Sequence, residues 1–167
     1  WVLALKNWKA EQKSLTGHDL SLLQTFAQSW EQVKNPITQK LFITLGYCAP
    51  NIPIPYEILE AALGDKKEAC DECLSDLLGL GLLKEGNSIH PLLAQFARGL
   101  DSENAHLKPF SESIKKLANQ TNHDEDQTGN YSLYTPLLPH FRVTAEYVER
   151  ASLEPAGSLW NSVGYHI

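Results

Sequence analysis

Apolar residues recur along this chain at three- and four-residue spacing almost from end to end, the period of a helix with one buried face. Leu3, Leu5 and Trp8 predict a short helix over 2–13, broken at Thr16-Gly17. Leu22, Leu23, Phe26, Trp30 and Val33 predict a second over 20–34, with Asp19 placed as its N-cap. Pro36 is suited to the first position of the next helix, where its missing N–H costs nothing, and Leu41, Phe42, Leu45 and Tyr47 carry that helix to about Ala49. Pro50, Pro53 and Pro55 then hold the chain extended. A helix follows, closed by Gly64. Over 66–79 the set Cys70, Cys73, Leu74, Leu77 and Leu78 makes one continuous face. Gly79 and Gly81 end that helix. Leu82-Leu83-Lys84, the turn Glu85-Gly86-Asn87 and Ser88-Ile89 predict a two-stranded hairpin. Pro91 opens a helix over 91–99, and another helical stretch covers about 102–119. The run NQTNHDEDQTGN has no apolar side chain to bury, which predicts a mobile loop at 121–130. Thr135-Pro136 begins a helix to about Ser152, and a last one starts near Pro155.

The fold class expected is mainly α. The order helix, helix, helix, hairpin, helix over 35–100 is that of a winged-helix domain with a small two-stranded β-hairpin. Helical segments flank it: 1–34 before, 101–154 after with the loop 121–130, and 155–167 at the end.

The chain has 167 residues, is 43% hydrophobic and 20% charged, and so can bury a core. Its net charge is -6 and its only arginines are Arg98, Arg142 and Arg150, a poor balance for binding phosphate backbones. The predicted 66–79 helix is the one a winged helix would lay on DNA, yet past Lys67 it carries Glu68, Asp71, Glu72 and Asp76. Neither nucleic acid nor membrane is an expected partner, since no apolar run nears the roughly 20 residues that span a bilayer. Three cysteines make no disulfide framework and point to a reducing compartment, here the cytoplasm. The chain begins at Trp1 and has no methionine, so it is expected to be a piece of a longer protein.

Catalytic signatures are missing. There is no Gly-Lys dipeptide, hence no phosphate-binding loop of the G-x-x-x-x-G-K-[ST] kind, and no G-x-S-x-G. Cys70-x-x-Cys73 has the spacing of half a zinc site but no second pair, and both fall on the apolar face of their helix, where cysteine packs as a small hydrophobe. Near the end Trp160-x-x-Val163-Gly164-x-x-Ile167 follows the W-x-x-L-G-x-x-Y opening of a tetratricopeptide repeat, with the glycine expected to admit a neighbouring helix. His90 stands directly before the proline that opens a helix. A helix N-terminus offers free N–H groups and a partial positive end, both suited to phosphate. Pro91 removes one donor and leaves those of Leu92 and Leu93.

Taken in order, PITQKLFITLGYCAPNIPIPYEILEAAL, CLSDLLGLGLLKEGNSIHPLLAQFAR and YTPLLPHFRVTAEYVERAS resemble the winged-helix region of a STAND ATPase of the NB-ARC type, leading into tetratricopeptide repeats. The resemblance is most specific over 37–98. It implies that Ile89-His90-Pro91 stands where this family has Met-His-Asp, whose histidine touches the β-phosphate of bound ADP. Isoleucine for methionine is a mild change, and proline for aspartate departs from the plant form.

The resemblance further implies a regulatory module and not an enzyme. Its cofactors, ADP or ATP with Mg, would belong to the parent protein, on a nucleotide-binding domain of the same chain ahead of Trp1. The repeats would detect a protein or small-molecule inducer, and the parent would oligomerise on activation. Two other readings stand beside it. One is a DNA-binding fragment of a transcriptional regulator, which needs a basic surface patch. The other is a helical-repeat interaction scaffold, which a missing two-stranded wing at 82–89 would favour.

Overall fold

The computed structural model describes residues 17–130 and 132–164, and most of that range is helix. The helix expected over 2–13 lies outside the described residues. The elements are α1 (Gly17–Gln32), α2 (Pro36–Leu45), α3 (Tyr56–Leu63), a 3-10 stretch (Gly64–Ala69), α4 (Cys70–Gly79), α5 (Pro91–Leu100), α6 (Leu107–Thr128), α7 (Leu138–Arg150) and α8 (Ala156–Gly164).

Local chemistry explains the boundaries. α1 already begins at Gly17, so Asp19 lies inside the helix and not at the N-cap position expected for it. Asn35 caps α2, its Oδ1 accepting the Ile37 N–H at 2.9 Å, and Pro36 takes the first position. Residues 64–69 wind as a 3-10 helix with Lys66 off helical geometry and no residue buried; the α-helix proper starts only at Cys70, where the apolar face begins.

Two further expectations are corrected. No strand forms among the described residues, so the two-stranded hairpin over 82–89 is reduced to a single antiparallel bridge between Lys84 and Ser88. The reason is at the end of α4. Gly81 has φ +68, its N–H reaches Leu78 O, and Leu82 N–H reaches Leu77 O, the paired bonds of a Schellman motif. Leu83 N–H also goes to Leu77 O, so the backbone expected to pair across a hairpin instead closes a helix. The second correction concerns 121–130: α6 continues through Thr128. Ala118, Thr121 and Glu125 are buried at helical spacing, and the Glu125 carboxylate accepts the Tyr134 N–H at 2.8 Å. A buried glutamate thus does what an apolar side chain was required for. Gly129, at φ +67, ends the helix with its N–H on Glu125 O.

A continuous core runs from Leu23 to Val163, including side chains from both sides of position 100. Phe26, Trp30, Phe42 and Phe96 join α1, α2 and α5, with Trp30 and Phe42 at 5.5 Å and Phe42 and Phe96 at 6.4 Å between ring centroids. α3 packs on α6, and α8 rests on both α6 and α7. Tyr134 reinforces this layer, its ring edge-on to Phe141 and its hydroxyl donating to Ser162 O at 2.9 Å. No helix here is long and apolar enough to cross a membrane, among the described residues.

Gly46 sits where α2 ends against α5. A methyl group there would come within 2.9 Å of Ala94 O and 3.0 Å of Arg98 N, both backbone atoms that cannot swing away. Gly46→Ala is therefore expected to cost about 1–3 kcal/mol through overpacking, read as a lower midpoint in urea unfolding, whereas Gly157→Ala, with open space around it, should leave the midpoint unshifted or raise it.

Candidate functional site

His90 is the residue that the chemistry of the sequence singles out, and its geometry is well defined. Its backbone is extended (φ -70, ψ 145) and it is the N-cap of α5. The ring's Nδ1 accepts the Leu92 N–H at 3.2 Å. One of the two donors expected to face a ligand, that of Leu92, is thus spent inside the protein. Burial, and after it the nearby Lys84 ammonium, holds the His90 ring below its ordinary range. The ring is neutral at pH 7, which the cap requires. With Nδ1 accepting, the proton of the neutral ring is on Nε2, and Nε2 is the donor nitrogen. His90 is half-buried.

The segment that carries His90 is held from behind by the proline-rich loop. Asn51 N–H reaches Ile89 O at 2.9 Å, and Ile54 N–H reaches Asn87 O at 3.2 Å. The loop is fastened in turn to α7: Thr144 Oγ1 donates to Tyr47 O at 3.1 Å, and His140 bridges Ala49 N–H and Pro53 O.

A second polar cluster was not legible in the sequence. The Asp101 carboxylate accepts the Tyr47 hydroxyl at 2.8 Å, the N–H groups of His106 and Leu107, and the His106 Nδ1 hydrogen at 2.9 Å. Burial raises the Asp101 carboxyl, but the bonds from His106, Tyr47 and the backbone outweigh it and hold it below its ordinary range. Burial, then Asp101, pushes the Tyr47 phenol far up. Beside this cluster Tyr147 stands edge-on to Tyr47, and the guanidinium carbons of Arg98 and Arg150 lie 4.5 and 5.2 Å from its ring centroid. Tyr47, Arg98, Asp101, Asn104, Tyr147 and Arg150 border a cleft of about 360 Å³. Tyr47 and Asp101 are 54 positions apart, and nothing in local spacing announces such a pair.

Cys70 and Cys73 are core residues, and burial is the main influence pushing both thiols up. No group of three His, Cys, Asp or Glu side chains is placed to hold a metal ion among the described residues. α4 turns Asp71, Glu72 and Asp76 outward, so its exposed face is acidic. In α8 Val163 is buried and the Trp160 Nε1–H donates to Glu149 at 3.2 Å. A methyl placed on Gly164 would touch nothing, so no described helix makes the close approach that the repeat reading assigns to this glycine. Ile167, the last position of that pattern, lies outside the described residues.

The cap and the donor nitrogen of His90 can be separated. His90→Ala removes the acceptor for Leu92 N–H and should cost about 1 kcal/mol of stability. His90→Asn supplies an amide oxygen in its place and should restore most of that loss. Urea unfolding of the two variants checks the pair; equal midpoints would show that the cap contributes nothing.

Comparison with models of protein families, with curated proteins and with solved structures finds no match to this chain.

Proposed function

We propose that this chain is a regulatory winged-helix segment of an NB-ARC-type STAND signalling protein, in which His90 reports on ADP held by a nucleotide-binding domain of the same polypeptide. The observation that carries the reading is the division of labour in the His90 ring. Nδ1 is committed to the cap, the neutral tautomer puts the proton on Nε2, and the residue sits at the N-terminus of a ten-residue helix. A phosphate placed there meets a ring N–H donor, the favourable end of the helix dipole and the Lys84 ammonium whose field reaches the ring. The element order α2, extended loop, α3, α4, turn, α5 supports the winged-helix assignment, with its wing reduced to the Lys84–Ser88 bridge.

In this reading ADP would stabilise a closed arrangement through contacts that exist only there. Loss of those contacts on exchange to ATP would shift the population towards an open, oligomerising state. Tetratricopeptide repeats continuing from α8 would set the inducer. Magnesium would remain with the nucleotide-binding domain.

One observation favours a second reading, a helical interaction scaffold. A two-stranded wing is absent among the described residues, and α6, α7 and α8 pack successively on one another. The DNA-binding alternative has no comparable support, because the outward face of α4 is acidic.

The deciding experiment uses the full-length protein. His90→Ser, whose hydroxyl oxygen can keep the cap but which has no ring N–H, is expected to weaken ADP relative to ATP by about 10- to 150-fold, the worth of a hydrogen bond to a charged group. Competition of unlabelled nucleotides against a fluorescent ADP measures it. Unchanged ADP affinity in that variant sinks the sensor role, and a full-length protein that binds neither nucleotide leaves the scaffold reading in possession.

A further inference from the structure

His140 is fully buried on α7, and both ring nitrogens are bonded to backbone groups of the same loop. Nδ1 accepts the Ala49 N–H at 3.2 Å, and Nε2 lies 3.0 Å from Pro53 O. Only the neutral ring with its proton on Nε2 satisfies both contacts. A proton on Nδ1 would set two N–H groups against each other in a buried site, with a positive charge added. We propose that His140 is an acid-released latch, which fastens residues 49–53 of the loop to α7 while neutral and lets them go when protonated.

The surroundings favour this behaviour. Burial holds the ring below its ordinary range, opposed only by the Pro53 carbonyl, and no charged side chain is among the influences on it. The titratable groups of the loop itself are Tyr47 and Cys48. Burial pushes both far up, so both are uncharged in the range that matters. On α7 the nearest charged positions along the chain, Arg142 and Glu146, are exposed. The sign follows. Once the loop opens, the ring regains a pKa near the ordinary ~6.5 and takes up a proton that the closed form refuses. The closed form is therefore unaffected above about pH 6.5 and loses ground as pH falls below it, until the folded-state pKa is reached.

Release has a consequence beyond the loop. The same segment holds Ile89 through Asn51 and Asn87 through Ile54, so freeing the stretch around Ala49 and Pro53 loosens the seat of His90. Acidification would then weaken whatever the α5 N-terminus binds. The latch itself rests on the His140 contacts alone and does not depend on nucleotide sensing.

The test reads the Ala49 amide, whose hydrogen is in the latch. Protection of this amide against hydrogen exchange is measured by NMR at about pH 7.5 and about pH 5, corrected for the intrinsic rate. Protection is expected to fall by roughly 10- to 30-fold, the linkage limit for a histidine about 1.5 pH units below its ordinary pKa. Amides inside α2, such as that of Phe42, should keep theirs. His140→Gln offers an amide oxygen to Ala49 and an amide N–H to Pro53 without titrating, and should abolish the pH dependence. Unchanged Ala49 protection at low pH would overturn the latch. So would an equal fall across α2, which would mean global acid unfolding, or persistence of the pH dependence in a folded His140→Gln protein. If that variant does not fold, the wild-type comparison of Ala49 with Phe42 still decides.

Discussion

Three prolines in six residues dictate much of this architecture. Pro50, Pro53 and Pro55 have no N–H to give, and they keep the chain between α2 and α3 out of any helix. Yet the first part of the connection, Gly46 to Ala49, is buried. Buried backbone polar groups must find partners, and here the last turn of α2 serves the N–H groups of Gly46, Tyr47 and Cys48 but not the carbonyls of Gly46 and Tyr47 or the N–H of Ala49. Distant residues do. Arg98 donates to Gly46 O, Thr144 to Tyr47 O, and His140 serves both Ala49 N–H and Pro53 O, while Asn51 and Ile54 donate to the segment before α5. α5 and α7 are thus positioned by the needs of one irregular segment. Fixing that segment also fixes the residue just ahead of His90.

Burying a charge follows the same logic. Asp101 is acceptable in the interior because four donors converge on it, two of them the leading N–H groups around the start of α6. It caps one helix and ties the end of α2 to it through Tyr47. Glu125 plays the corresponding part at the far end of α6, receiving the backbone of Tyr134. The two carboxylates pin both ends of the longest helix, so the α6–α8 layer is held by directional bonds as well as by apolar contact.

Legibility in the sequence divides along these lines. The helices carrying an apolar face were readable because periodicity is local: Cys70, Cys73, Leu74 and Leu77 are buried as their spacing requires, while Leu78, at the edge of the same face, is 37% exposed. Pro36, Pro91 and Gly64 punctuate where their backbone chemistry says. Failures occurred where a polar residue did the work of an apolar one, or where one backbone could serve two masters. NQTNHDEDQTGN reads as loop because Glu125 looks solvated until Tyr134 is brought to it. Leu82 and Leu83 read as strand because a short apolar run beside the turn residues Glu85-Gly86-Asn87 is visible in sequence, while the pull of a Schellman motif at Gly81 depends on where α4 stops. At the candidate site, the helix start and its histidine were legible, but the capture of Leu92 N–H by the ring was not, since it turns on one side-chain rotamer.

That capture changes what the histidine can be. A capping residue and a ligand-sensing residue are usually weighed as rivals, because a side chain that satisfies its own helix has little left to offer. The amide of Asn keeps an N–H beside its oxygen, though on a shorter side chain; Asp, with no N–H, or Ser, with one short hydroxyl, would face that conflict outright. Imidazole does not, because its two nitrogens stand on opposite edges of a rigid ring and take opposite roles in the neutral form. Capping through Nδ1 enforces a proton on Nε2, and the cap stiffens the ring that carries the donor. Lys84, by lowering the affinity of the ring for a second proton, helps keep it in that neutral form. A helix start that needs both a cap and an outward N–H donor therefore has a physical reason to use histidine, and the structural role becomes the means by which a binding role would be oriented.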